Sequence, residues 1–524
     1  MTTIAIDFGT SNTIVSIIEP HNQKPKSLTF PQISRIFRTP LDEIPVIPSL
    51  LFISTQNHNT SNIIIGEQVR SQNLGLNQQF PPERLFKRFK TDLAADFQPP
   101  PRIINNQEYD SRTISEIFIR KIWVEIKQLK IEPSHLIFTV PVGAFERYLD
   151  WFRELGKKLG IDRVSVIDES TAAALGYAVN TPGKKILVID FGGGTLDLSL
   201  VRITINQTKE LKAEVIAKSE AYIGGEDIDT WIVEDYLRTH NLKKQNINKI
   251  AHQNLLEIAE RQKIKLSQQQ ETIESWFDEQ TFTGYEMKIN RQKLEEILEY
   301  NQLLPQLRNT LDEILTIALG KGINKSEVDE VLLVGGSCLI PAVQQLVKSY
   351  FGPQKVKLEK PFEAVCHGAL AIEKIKTIED FLRHTYAIRI WNPRLERYTY
   401  QTLFKKGNKY PCQSEEWLTL QVANPGQKEI HLDLGEIGDI SHAEVTFDEK
   451  GRMTTTSLVN EETYRPLNTK RKEICLARLD PPGQPGRDRI SVLFEINSSR
   501  TLVATVEDLL TGKILSNKRE IYRM

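Results

Sequence analysis

The sequence predicts an α/β fold over residues 1–376, followed by an antiparallel β domain over residues 385–524. Three observations carry this. A strand, glycine turn and strand unit occurs twice, as TIAIDFGTSNTIVSI (Thr3–Ile17) and VIDFGGGTLDLSLV (Val188–Val201). Further apolar runs end in small-residue turns or helices: VIDESTAAALGY (Val166–Tyr177), VLLVGGSCLIP (Val331–Pro341) and EAVCHGALAI (Glu363–Ile372). Beyond Ile378 the apolar period falls to two, with Gly and Pro clusters between runs. Alternating strands and helices with loops at strand ends give the α/β class. Period-two runs separated by turn residues give antiparallel strands.

The elements follow in order. Ile4, Ala5 and Ile6, and again Val188 and Ile189, read as buried strands. Ile114, Ile117, Phe118, Ile122 and Ile126 recur at helical spacing and predict an amphipathic helix. Residues 202–330 are richer in Gln, Glu and Lys, with helical patterns at Leu255–Leu266 and Leu294–Leu319. They read as a helical insertion in a second lobe. Residues 331–375 return to strand and helix, and 377–384 form a linker. Strands are expected at Tyr386–Trp391, Trp417–Ala423, Glu429–Leu434, Ala443–Phe447, Arg489–Ile496 and Thr501–Glu507, with PPGQPG (Pro481–Gly486) as a separator.

The duplicated hairpin points to phosphate. Glycine lets backbone turn tightly and approach a ligand. Successive N–H groups around Gly9, Thr10 and Ser11, and around Gly192, Gly193 and Gly194, form anion-binding concavities. Asp7 and Asp190 end the two buried strands and face the same phosphates. Carboxylates beside a polyphosphate require a cation between them, so Mg²⁺ held by Asp7 and Asp190 is implied. Small hydroxyl residues favour turns in any case, but two copies of the hairpin favour ligand binding. No GxxxxGK[ST] loop and no GxGxxG fingerprint occurs, which excludes the P-loop and dinucleotide-binding classes.

Composition limits the partners. The 40% hydrophobic and 26% charged content is that of an ordinary soluble protein, and a net charge of −1 argues against a nucleic-acid or membrane partner. No apolar run is long enough to span a bilayer. The N-terminus enters a strand at once, with no secretory leader visible. Cys338, Cys366, Cys412 and Cys475 lie far apart without metal-ligand spacing. A cytoplasmic location is expected.

These segments together resemble the actin-like ATPases, and within them the seventy-kilodalton heat-shock protein chaperones. YIGGEDID (Tyr222–Asp229) and ERQKIKLS (Glu260–Ser267) narrow the likeness to the chaperones, and FKRF (Phe86–Phe89) and FTVP (Phe138–Pro141) resemble further segments of them. It is strong over residues 1–375 and fainter over 385–524, where LFKKGNKYPC (Leu403–Cys412) and VLFEINSSRTLVATVEDLLTGK (Val492–Lys513) are similar to the family's β domain. The resemblance implies a two-lobed actin-like ATPase fold followed by an antiparallel β-sandwich-like domain. It implies ATP or ADP with Mg²⁺, and K⁺ as a further candidate ion. Nucleotide contacts would come from Gly9, Thr10, Ser11, Asn12, Gly192, Gly193, Gly194 and Thr195. Gly224, Gly225, Glu226, Glu260, Lys263, Ile264, Ser267, Gly335, Gly336, Ser337 and Leu339 would complete them.

By the same resemblance Lys87 is the catalytic lysine, Thr195 positions water, Glu169 stands near the metal, and Asp7 and Asp190 complete the catalytic set. The residues alone leave alternatives. Arg84, Lys87, Arg88 and Lys90 also read as a solvated basic patch. Glu169 also reads as a helix N-terminal stabiliser. Asp197 is an acidic candidate or strand polarity. Glu260, Lys263 and Ser267 share one helix face that would otherwise simply be wet.

Departures from the family pattern accompany the likeness. Ser170 stands for a proline, Leu339 and Ile264 for arginines, and Phe362 for an aspartate; the linker is blurred into IEDFL (Ile378–Leu382), and no helical lid follows the β region. The expected function is an ATP-hydrolysing chaperone that holds unfolded or extended polypeptide in its β domain, with a J-domain co-chaperone and a nucleotide exchange factor as partners. The alternative is an ATP-binding regulatory or scaffold protein with one fixed partner. An actin-like filament protein is the third reading.

Overall fold

The computed structural model describes residues 2–38, 43–56, 60–95, 98–179, 181–205, 211–358, 360–392, 395–447, 453–467, 474–497 and 500–523. The chain forms two compact units, Met1–Ala144 with Tyr148–Ile378, and Phe145–Arg147 with Glu379–Met524.

The first unit holds two large mixed sheets with one local plan. In the first, Thr2–Phe8 pairs parallel to Pro133–Val140 and antiparallel to Asn12–Ile18. In the second, Lys185–Phe191 pairs parallel to Glu330–Val334 and antiparallel to Leu196–Ile205. The duplication read in the sequence is therefore a duplication of sheet topology. The middle of each central strand is apolar because both faces are covered: Ile4, Ala5 and Ile6, and Val188 and Ile189, are wholly buried. Ile375–Glu379 closes one edge of the second sheet, so the residues expected to begin the linker are strand.

The helix Ser111–Gln128 forms as its spacing predicts. Asp110 caps it, accepting from the Thr113 N–H at 2.7 Å. Ile114, Phe118, Ile122 and Ile126 turn one face into the core around the first sheet. The insertion is less purely helical than expected. It opens with the strand Leu211–Ala221 and contains the hairpin Glu271–Asp278/Thr283–Asn290. Leu255–Leu266 lies within the helix Lys249–Leu266. The single pattern Leu294–Leu319 is two helices, Arg291–Tyr300 and Leu303–Gly320. Gln302 between them adopts the left-handed conformation, φ 60°, which ends one helix and redirects the chain into the next.

The second unit is antiparallel sheet. Arg397–Phe404, Thr385–Asn392, Leu434–Phe447 and Met453–Pro466 form one sheet in that order. Asp488–Ile496, Thr501–Asp508 and Lys513–Arg523 form another, with Cys412–Gln413 and Leu418–Gln421 on its outer strand. Gln427–Leu432 pairs with Ile474–Gly483. One core joins them, around Tyr386, Phe404, Leu476, Phe494 and Ala504. Each expected strand is present. The first half of PPGQPG does not separate strands: Pro481–Gly483 ends the strand Ile474–Gly483. Ser498 and Ser499, inside the expected closing hairpin, lie outside the described residues.

Candidate functional site

The two hairpin loops face each other. A Cβ placed on Gly193 would lie 2.1 Å from the Ser11 hydroxyl oxygen, and one on Gly224 would lie 2.2 Å from the Gly193 carbonyl carbon. Only glycine permits these approaches. Ser11 Oγ donates to Glu226 Oε1 at 2.9 Å, and Ser337 Oγ to the Gly192 carbonyl at 2.8 Å. The segments around residues 10, 193, 225 and 337, far apart in sequence, thus meet.

Beside these loops lies a buried carboxylate group. Asp190 and Asp197 stand directly opposite each other across the Lys185–Phe191/Leu196–Ile205 ladder. Like charges in that position are unfavourable. Burial raises both well above the usual carboxylate range, and Glu169 adds repulsion to each. Asp7 is pushed up to about 7, by burial first and Glu169 second. Lys90 and a Thr139 hydroxyl at 2.7 Å from Asp7 Oδ1 oppose that rise. Asp197 accepts from the Val142 N–H at 2.7 Å and from the Thr195 hydroxyl.

Lys90 is the cation of this group. Its Nζ donates to Glu169 Oε1 at 2.5 Å, and both side chains are buried. Burial disfavours its charge, but Glu169 and Asp7 outweigh burial and raise its pKa. Lys87, the lysine the sequence singled out, lies outside this carboxylate group and lines the cleft with Thr10 and Ser11. It pairs with Glu257 on the cleft wall. The fold separates the two lysines because Arg88 between them sits in the left-handed region, φ 58°, and caps the helix Phe89–Ala94. Lys90 then falls in that helix and turns inward.

One lysine among four carboxylates leaves a negative excess, which fits a divalent cation. Among the described residues the four do not converge as a three-ligand cage. That suits Mg²⁺, which keeps several waters and takes few protein carboxylates.

The cleft next to these groups encloses about 700 Å³ including the solvent at its mouth. Thr10, Ser11, Lys87, Glu226, Glu260 and Lys263 are among the residues that line it. Lys263 Nζ contacts Asp229 Oδ1 at 2.7 Å and donates to the Gly225 carbonyl at 2.5 Å. Glu260 is held by both Arg70 N–H contacts at 2.8 Å. Burial raises its pKa, but Arg70, Lys87 and Lys263 together bring it down to about 2.

Ile264 and Leu339 do not line this cleft; Ile264 is 38% exposed. Ser267 Oγ donates to the Lys263 carbonyl at 3.4 Å rather than into the cleft. Sequence reasoning missed Arg70, Ser49, Asp229, Thr139 and Lys90. Asp229 ends the quoted YIGGEDID, and Lys90 lies one residue beyond FKRF; Arg70 gave no signal.

An α/β unit with duplicated phosphate-loop topology and buried carboxylates at the strand ends defines the class of actin-like nucleotide-binding proteins. The family model described as "Hsp70 protein" matches residues 90–381, more than half of the chain, and the chain belongs to that family. Its members are in general ATP-dependent chaperones, ATPases that bind ATP or ADP with Mg²⁺. The chain is 26% identical to "Chaperone protein DnaK" of Thermosipho melanesiensis over 97% of its own length and 78% of that protein's. It is 29% identical to the protein of that name from Thermotoga petrophila, over 70% of this chain and 58% of the relative. For Cyanidium caldarium the values are 28%, 78% and 62%. Several of these relatives are therefore matched over less than two thirds of their length. Among the described residues, no helix is long and apolar enough to cross a membrane.

Proposed function

We propose that this chain hydrolyses ATP slowly in the cleft of its first unit and binds extended polypeptide through its β unit. The observation that carries the reading is the buried group Asp7, Glu169, Lys90, Asp190 and Asp197 beside two facing phosphate loops. Backbone N–H groups around Thr10–Ser11 and Gly193–Gly194 bind phosphate oxygens. Asp7 and Asp190 would hold Mg²⁺, which would supply charge neutralisation to the phosphates. Lys90, rather than Lys87, offsets charge that develops on the transferring phosphoryl group. Thr195, oriented by Asp197, positions the attacking water. Glu260 and Lys263 hold the ribose side of the nucleotide. Lys87 and Arg88 close the cleft wall and limit water.

Support for peptide binding comes from the sheet Arg397–Phe404/Thr385–Asn392. Arg397–Phe404 is an edge strand, and Ile390, Tyr398 and Tyr400 are exposed on this pair. Edge strands accept extended peptide as an added strand, and apolar side chains beside them read sequence. A J-domain protein and an exchange factor are the corresponding partners. The scaffold reading keeps the nucleotide site and replaces assorted peptides by one partner.

Steady-state ATP hydrolysis with and without unfolded peptide tests the proposal. Slow turnover that rises with peptide is expected. Nucleotide binding without turnover, together with no response to a broad peptide panel, would select the scaffold. No adenine nucleotide binding by calorimetry would refute both.

A further inference from the structure

The β unit holds a second group of donor atoms, on residues 429, 431 and 475. Among the described residues Gln427–Leu432 and Ile474–Gly483 pair only with each other, as a two-stranded antiparallel ladder. His431 stands opposite Cys475 on that ladder. Glu429 lies two residues back on the same strand and so on the same face. The register shifts between Ile430 and His431: Ile430 pairs with Ala477 while His431 pairs with Cys475, which leaves Leu476 as an extra residue. This is a β-bulge, a device that re-aims side chains. It sends Leu476 and Ala477 together into the core, at 1% and 3% exposure. Cys475 and Arg478 are thereby returned to the outer face, beside His431 and Glu429.

One ligand atom from each of Glu429, His431 and Cys475 lies within 4.8 Å of the other two. We propose that these three side chains form a binding site for a divalent transition-metal ion of the zinc class, with solvent in a fourth position. Thiolate sulfur, imidazole nitrogen and carboxylate oxygen are the donors such an ion takes, at about 2.0–2.3 Å. Tetrahedral geometry at those lengths puts donor atoms roughly 3.3–3.8 Å apart. Closing from the present spacing needs side-chain rotation at the surface and no backbone movement. A mixed sulfur and nitrogen set is unsuited to Mg²⁺ or Ca²⁺.

The contacts of His431 with Glu429 and of Cys475 with Ala477 are weak enough to yield. His431 Nε2 is 3.2 Å from Glu429 Oε2, and Cys475 Sγ makes a long contact of 3.8 Å to the Ala477 carbonyl. Arg478 Nε donates to Glu429 Oε1 at 3.1 Å, but its side chain is 85% exposed. An ion pair that open to solvent contributes little, and it leaves Oε2 for the metal. The ion would cross-link two strands that are distant in sequence and that have no other strand partner among the described residues, which is where a clip constrains the unfolded chain most.

The test uses the full-length protein and Co²⁺ as probe, with Mg²⁺ and ATP present to fill the nucleotide cleft. Binding of one equivalent with thiolate-to-cobalt charge-transfer absorption, displaced by Zn²⁺, is expected. Cys475→Ser should abolish the band and His431→Ala should weaken Co²⁺ binding at least tenfold. Cys412→Ser, at the other partly exposed cysteine, should leave both unchanged. Far-UV circular dichroism verifies that each variant is folded. The proposal is overturned by no band in the wild type, by a band that survives Cys475→Ser, or by affinity unmoved in His431→Ala.

Discussion

At the scale of single residues, the proposed mechanism gives two lysines different roles. Lys90 is buried against Glu169 and feels Asp7, whereas Lys87 pairs with Glu257 at the cleft wall. Removing a preorganised charge that acts on the transition state costs about 10²–10³ in turnover. Lys90→Met should therefore lower single-turnover ATP hydrolysis on that order, while Lys87→Ala loses less than about tenfold, the scale of a partly exposed pair. A larger loss from Lys87→Ala would return the catalytic role to that residue. The motif FKRF was legible, but the direction each lysine takes was not. That depends on the left-handed turn at Arg88, a residue type with no special preference for it.

Glu260 offers a test by pH. Its folded pKa is depressed to about 2 from 4.5, chiefly by Arg70 working against burial. A depressed carboxylate contributes stability that is fully present above the unfolded value and is lost as pH falls through the folded one. The contribution therefore stands above about pH 4.5 and fades toward pH 2, with a ceiling on the order of 3 kcal/mol. In nucleotide-free protein, Glu260→Gln should lower the unfolding midpoint at pH 7, and the gap from wild type should narrow as pH drops below 4.5. A gap that stays constant over that window would show that Arg70 and Glu260 contribute through packing alone.

At the scale of elements, legibility followed burial. The paired hairpins and the helix Ser111–Gln128 could be read because a wholly buried strand or a one-faced helix leaves an unmistakable period. The hairpin Glu271–Asp278/Thr283–Asn290 escaped because one of its faces is wet. Glu271, Glu286 and Lys288 there read as insertion polarity, and only Thr272, Tyr285, Met287 and Ile289 reveal alternation. The break at Asn301–Gln302 has no Gly, and Pro305 beyond it sits within the first turn of the next helix, where proline is tolerated.

The β unit is argued at the same scale. Its core is drawn from Leu382 to Tyr522, with alternating faces supplied by its own strands. A fragment from Glu379 to Met524 should fold by itself, with cooperative thermal unfolding and β-type circular dichroism. Within it, Phe494→Ala should cost about 3–5 kcal/mol, because the ring is wholly buried. A fragment without a cooperative transition would mean that Phe145–Arg147, which cluster with this unit, are required for its fold.

For the whole molecule the question is whether the nucleotide and peptide sites speak to each other. A nucleotide shifts peptide affinity only if it favours one arrangement of the units over another, and the effect is reciprocal. Two features weaken the transmission. Ser170, where the resembled family carries proline, is wholly buried and bonded to Ser199 at 2.8 Å. It lacks the fixed φ that would make this position a rigid lever. The connecting residues Ile378–Leu382 carry two acidic groups between three apolar ones, and so offer less apolar surface than a leucine-rich linker. We therefore expect a coupling free energy below the usual 1–3 kcal/mol range of allosteric proteins. Fluorescence anisotropy of a labelled extended peptide should give dissociation constants in ATP and in ADP that differ by less than about fivefold. Ser170→Pro should widen that ratio if the proline is what sets the lever. A wild-type ratio of tenfold or more, about 1.4 kcal/mol, would mean that Ser170 and this linker already carry the signal.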